Sequence, residues 1–148
     1  MVKNGSKKGQ KFSGRQKRKS SVENSELTHV GPCSPGGEYL RRFWQPISLS
    51  SELGELPLAV RLLGENLVLF RTKAGTLGLL DRQCCHRGTS LEYGIITDSG
   101  ISCCYHGWHY AIDGTILETP NDPESQLKDK ISTTAYPTLE YKGIIFAY

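Results

Sequence analysis

Two short segments concentrate the residues of this chain that are able to bind a metal. DRQCCHRG spans 81–88 and ISCCYHGW spans 101–108, and together they hold four of the five cysteines and two of the four histidines. Within them Cys84 and His86 stand in C-x-H spacing and Cys103 and His106 in C-x-x-H spacing, with sixteen residues between His86 and Cys103. A structural zinc finger usually takes two cysteines from one arm and two histidines from the other. Here each arm offers one of each. That donor set suits a 2Fe–2S cluster in which two thiolates hold one iron and two imidazoles hold the other. A structural zinc module is the competing reading.

Such donors need a rigid support, and the surrounding text reads as strands. LPLAVRLL (56–63) and LVLFRT (67–72) flank the turn residues Gly64-Glu65-Asn66, and TLGLLD (76–81) follows a turn at Lys73-Ala74-Gly75. EYGIIT and GISCC flank Asp98-Ser99-Gly100, HYAI and TILE flank Asp113-Gly114, and AYPTLEY and IIFAY flank Lys142-Gly143. Short apolar runs between repeated turn signals predict an all-β fold, an antiparallel sandwich or small barrel. The two Cys-His segments then become loops projecting from strand ends. A short helix is expected over Gly36–Trp44, where Tyr39, Leu40 and Phe43 share a face. Pro120 to Pro123 marks the one longer loop.

Charge divides the chain unevenly. Residues 1–22 carry eight Lys or Arg and no acid, whereas 23–148 carry ten basic and fifteen acidic residues. Residues 1–25 are expected to be a disordered basic tail, because so few apolar side chains cannot offset the entropy of ordering it. The segment 26–43 is read as an entry segment with the helix, and 44–148 as one globular domain. The tail is read as a solvated extension, with nucleic acid not expected as a partner. No apolar run approaches the length of a membrane helix and no secretory signal is visible, so a cytoplasmic protein without a membrane role is expected. Clustered thiols in that compartment bind metal more often than they form disulfides.

The flanking residues carry a resemblance. His86-Arg87-Gly88 and Cys104-Tyr105-His106-Gly107-Trp108 are similar to the Rieske domains of ring-hydroxylating oxygenases. LRRFWQPI (40–47), VRLLGENLVLFR (60–71) and LEYGIITDSGISCCYHGW (91–108) resemble most the phthalate-dioxygenase type of terminal oxygenase. The resemblance implies a Rieske-type β fold with two cluster-binding loops. It implies Cys84, His86, Cys103 and His106 as ligands, the first cysteine of each pair, since only these keep the family spacing. Cys85 departs from the family, which usually has proline there, so the first loop loses a fixed φ. Ala111 replaces a usual Asp. Respiratory relatives bridge their loops with a disulfide at other offsets, so Cys85 and Cys104 are expected to be free, as is Cys33.

With neutral imidazoles the oxidised cluster has no net charge, whereas a four-cysteine cluster starts doubly negative. Histidine ligation therefore raises the potential, and hydrogen bonds to sulfur raise it further. Trp108 stands where respiratory Rieske proteins carry a Ser, which implies a lower potential than theirs. Tyr110 is either a donor to a cysteine sulfur or a packed core aromatic. Arg87 either faces a redox partner and screens the cluster or forms a surface ion pair. Trp44 and Trp108 are expected to cover the cluster region. His109 is expected in a strand and His29 in solvent. The oxygenases of this type hold a mononuclear Fe(II) in a second domain, and no residues here match that site. The chain is therefore expected to be the electron-entry part of an aromatic ring-hydroxylating oxygenase subunit, a homotrimer fed by a reductase or ferredoxin. A stand-alone Rieske ferredoxin is the alternative.

Overall fold

The structure is a computed structural model and describes residues 23–124 and 126–148. Of the basic tail, residues 1–22 lie outside the described residues. The described chain opens with a single helical turn, α1 (Ser25–Thr28), whose Leu27 and Thr28 N–H groups donate to the Asn24 carbonyl. A second helix, α2 (Pro35–Leu40), is shorter than the pattern predicts. It starts on Ser34, whose hydroxyl accepts from the Gly37 N–H, with Pro35 at the first helical position. Its end comes at Arg41, so Phe43 and Trp44 lead into a strand instead of extending the helix.

Ten short strands form three antiparallel sheets among the described residues. The first sheet takes β1 (Gln45–Leu49), β10 (Ile144–Ala147) and β9 (Thr138–Tyr141), in that order. The second is the meander β2 (Leu58–Leu62), β3 (Glu65–Arg71) and β4 (Leu77–Asp81). The third runs β5 (Ile95–Ile96), β6 (Gly100–Ser102), β7 (His109–Ala111) and β8 (Ile116–Glu118). This is the all-β, antiparallel architecture that the sequence predicts.

Two details differ from expectation. β1 escapes sequence reading because Pro46 cannot donate to a ladder. It is tolerated because β1 is an edge strand whose register with β10 slips between Pro46 and Ser48. The first hairpin turn lies at Leu63-Gly64, with Glu65 and Asn66 already paired to Leu62 and Arg61. Both turn residues have positive φ, 45° and 85°. Such a two-residue turn matches the twist of its strands, and that advantage outweighs the cost of a leucine in the left-handed region.

β3 holds the layers together. Its side chains alternate between two cores, with Val68 and Phe70 on one side and Leu67 and Leu69 on the other. The Val68 side also gathers Leu80, Leu91, Ile101, Trp108, Tyr110 and the two cysteines Cys84 and Cys103. The Leu67 side packs on Leu79 and on Ile145 and Ala147 of β10. All four β3 residues are buried, each worth about 1.5–3 kcal/mol of transfer free energy. The middle sheet is thus packed on both faces, and one of its cores runs directly into the Cys-His loops.

Candidate metal centre

The first Cys-His segment follows β4, and the second joins β6 to β7. Their backbones are closed by the same pair of hydrogen bonds. In the first, the Cys84 N–H donates to the Thr89 carbonyl at 2.9 Å and the Gly88 N–H donates back to the Cys84 carbonyl at 2.8 Å. In the second, the Cys103 N–H donates to the Trp108 carbonyl at 2.8 Å and the Gly107 N–H to the Cys103 carbonyl at 3.0 Å. Each loop therefore closes from its first cysteine onto the residue five positions on. Each turns on a glycine in the left-handed region, with φ of 71° at Gly88 and 73° at Gly107, where a side chain would be strained.

This shared geometry sorts the cysteine pairs. Cys84 and Cys103 are each 3% exposed and belong to the core, whereas Cys85 and Cys104 are exposed. All five cysteines are free thiols. Burial pushes the Cys103 thiol up, as does the neighbouring Cys84, while hydrogen bonds from the Tyr105 and His106 backbone pull the other way. Those amides are donors suited to a thiolate sulfur.

The histidines stand farther out. The His86 and His106 rings lie 4.8 Å apart, edge to face. Trp108 stacks flat on His86 at 4.6 Å, with planes 2° apart, and Tyr105 leans on His106 at 3.7 Å. An aromatic of the second loop thus fixes the ring of the first. Desolvation, then His106, then Arg87 hold His86 below the ordinary histidine range, which favours the neutral imidazole that metal ligation needs. No three His, Cys, Asp or Glu side chains among the described residues close on one point. The donor set is two inner sulfurs and two outer imidazoles, the division a binuclear cluster with unlike irons takes, and the residues fit such a group.

Tyr110, from β7, unites the two roles anticipated for it. It is completely buried, and its Oη lies 2.9 Å from Cys84 Sγ and 3.4 Å from Cys85 Sγ. Burial first, then its cysteine partners, push the phenol far above its ordinary range, so it stays a protonated donor. Next to it on β7, His109 is buried with Nε2 2.8 Å from Thr97 Oγ1.

A model of the Rieske [2Fe-2S] domain matches residues 43–137. The chain belongs to the Rieske [2Fe-2S] domain family. Within it, the Rieske chain is 51% identical over 126 residues to the tert-butanol monooxygenase / tert-amyl alcohol desaturase oxygenase subunit of Aquincola tertiaricarbonis, covering 84% of this chain and 27% of that one. It is 41% identical over 130 residues to the phthalate 4,5-dioxygenase oxygenase subunit of Pseudomonas putida, covering 85% of this chain and 30% of the relative. Among solved structures, it superposes with a TM-score of 0.64 on a chain from the reduced complex between oxygenase and ferredoxin in carbazole 1,9a-dioxygenase. That match has 37% identity and covers 71% of this chain and 28% of the other. The Rieske chain therefore spans less than a third of the length of these relatives.

Several expectations for the Rieske domain are refined by position. Trp108 stacks on His86 across the two Cys-His loops, but Trp44 is packed 5.4 Å from Tyr148 at the end of β10, beside the sheet that carries neither Cys-His segment. Arg87 is exposed and has no ion pair among the described residues. His29 is paired with Glu23 at 3.2 Å. No helix among the described residues is long and apolar enough to cross a membrane. Sequence reasoning missed the Trp108–His86 stack, the Thr97–His109 bond and the approach of Cys85 to Tyr110. The first two join residues on different turns and strands, and no spacing rule links them.

Proposed function

We propose that Cys84, His86, Cys103 and His106 hold a Rieske 2Fe–2S cluster, with the cysteines on one iron and the histidines on the other. We further propose that the chain serves as the electron-entry domain of an aromatic ring-hydroxylating oxygenase subunit. The observation that carries this reading is the pair of matched loops, each presenting one buried cysteine and one outward histidine. When bound, the cluster takes up and releases one electron at a time.

The protein's part is electrostatic and positional. Tyr110 donates to the Cys84 sulfur, and because reduction adds one negative charge to the cluster as a whole, this bond favours the reduced form. Trp108 holds the His86 ring in one plane, and the partly exposed histidine edges offer the route for electron exit. Arg87 adds an unpaired positive charge beside that edge, suited to an acidic redox partner. A reductase or ferredoxin is the donor in this reading. The reduced complex between oxygenase and ferredoxin in carbazole 1,9a-dioxygenase supports it by analogy.

Oxygen activation belongs elsewhere. His109 is bonded to Thr97 and His29 to Glu23, and neither joins a group of three His, Cys, Asp or Glu side chains among the described residues. That iron would sit in a domain outside this chain, in a cytoplasmic homotrimer like those of phthalate-type enzymes. Analysis of the purified protein should find iron and acid-labile sulfide in equal amounts, two of each per chain. Cys84→Ala and Cys103→Ala should lose both, while Cys104→Ala keeps them. Retention of full iron and sulfide by Cys84→Ala would defeat the assignment, as would zinc in place of iron.

A further inference from the structure

We propose that Cys85 sets the reduction potential of this centre by acting through Tyr110. The inference rests on Cys84 being a ligand. Tyr110 Oη stands between two sulfurs, 2.9 Å from Cys84 and 3.4 Å from Cys85. A ligating thiolate carries no proton and can only accept, so the single Tyr110 O–H points at Cys84. The phenol is fully buried, and the lone pairs left on its oxygen have the Cys85 thiol within 3.4 Å as a donor. Cys85 is not a ligand in this reading, and its S–H is a donor with Tyr110 Oη in reach. Proton order along the chain is therefore fixed: Cys85 S–H donates to Tyr110, and Tyr110 O–H donates to Cys84.

Donors linked in series polarise one another. A thiol donating into Oη makes the phenol a stronger donor to the Cys84 sulfur, and reduction adds one negative charge to the cluster that this sulfur holds. Cys85 thereby favours the reduced state without touching the cluster, as a positioning residue. The second loop supplies an internal control. Cys104 occupies the same place after its buried cysteine and is exposed like Cys85, but it makes no hydrogen bond among the described residues.

The test is a redox titration of the cluster-loaded protein, read from its visible absorption and checked against iron and sulfide content. Cys85→Ala should move the equilibrium at least threefold toward the oxidised cluster, about 28 mV on the 59 mV per decade of a one-electron couple. Cys85→Val, which also lacks a donor, should do the same and serves if the alanine variant loads poorly. Cys85→Ser should restore most of the shift, and Cys104→Ala should leave the potential in place. In a Tyr110→Phe background, Cys85→Ala should add nothing. The proposal is overturned by an unshifted potential in fully loaded Cys85→Ala and Cys85→Val, or by an undiminished shift in the Tyr110→Phe background. Full loading of Cys84→Ala would instead remove the ligand premise, a separate outcome read from metal content.

Discussion

Tyr110 joins the core to the chemistry at the scale of a single residue, since its ring fills the space beside Phe70 and Ile101 while its hydroxyl meets a sulfur. Tyr110→Phe keeps the packing and deletes both hydrogen bonds of the hydroxyl. The expected result is a retained cluster whose potential falls by on the order of 1 kcal/mol, or several tens of millivolts, measured by redox titration. The candidate donors were readable in the sequence through the family resemblance, since only Cys84 and Cys103 keep the family spacing to His86 and His106. The two inner cysteines are indeed the buried ones. What Tyr110 and Trp108 do was not legible. Both sit at fixed offsets from His106, but their partners lie in the other loop, brought near only by the tertiary fold.

The Cys-His loops are the elements that matter most, and their glycines carry an ordered prediction. Gly88 and Gly107 both have positive φ, so alanine at either position is strained by about 1–2 kcal/mol. Their surroundings differ. A β-carbon at Gly88 meets open space, whereas one at Gly107 lies 3.2 Å from the Pro120 side chain. Gly107→Ala should therefore destabilise the protein more than Gly88→Ala, as read by urea denaturation of the two variants. Equal losses would show that Pro120 gives way without cost. Most strands were legible as short apolar runs between turn signals. β1 was hidden by Pro46, and the Leu63-Gly64 turn by a leucine that no turn rule favours.

The whole molecule is tied together by a charged cluster away from the metal centre. Arg41, at the end of α2, reaches the Glu65 carboxylate of β3 at 2.7 Å and the Leu63 carbonyl at 2.9 Å. The Tyr136 hydroxyl, just before β9, donates to the same carboxylate. Burial alone would raise Glu65, but hydrogen bonds from Tyr136 and Arg41 and the Arg41 charge hold it below its ordinary value of 4.5. Its contribution to stability is thus present above pH 4.5 and is lost as pH falls through the lower folded value. Burial and Glu65 push Tyr136 up to about 12, so its contribution is present below pH 10 and is lost as pH rises through that value. Glu65→Gln should cost about 1 kcal/mol at neutral pH and flatten the acid limb of the stability profile. Thermal denaturation across pH measures both. An unchanged acid limb would mean that the cluster does not couple helix to sheet.

The claim that governs all the others is mixed ligation by Cys84, His86, Cys103 and His106. Pulsed electron paramagnetic resonance of the reduced protein, with nitrogen-15 in its histidines, tests it most directly. Two strongly coupled histidine nitrogens should appear, one from His86 and one from His106, while substitution of His29 or His109 leaves both in place. A reduced cluster with no coupled histidine nitrogen, or one whose couplings survive the loss of His86 and His106, would contradict the account.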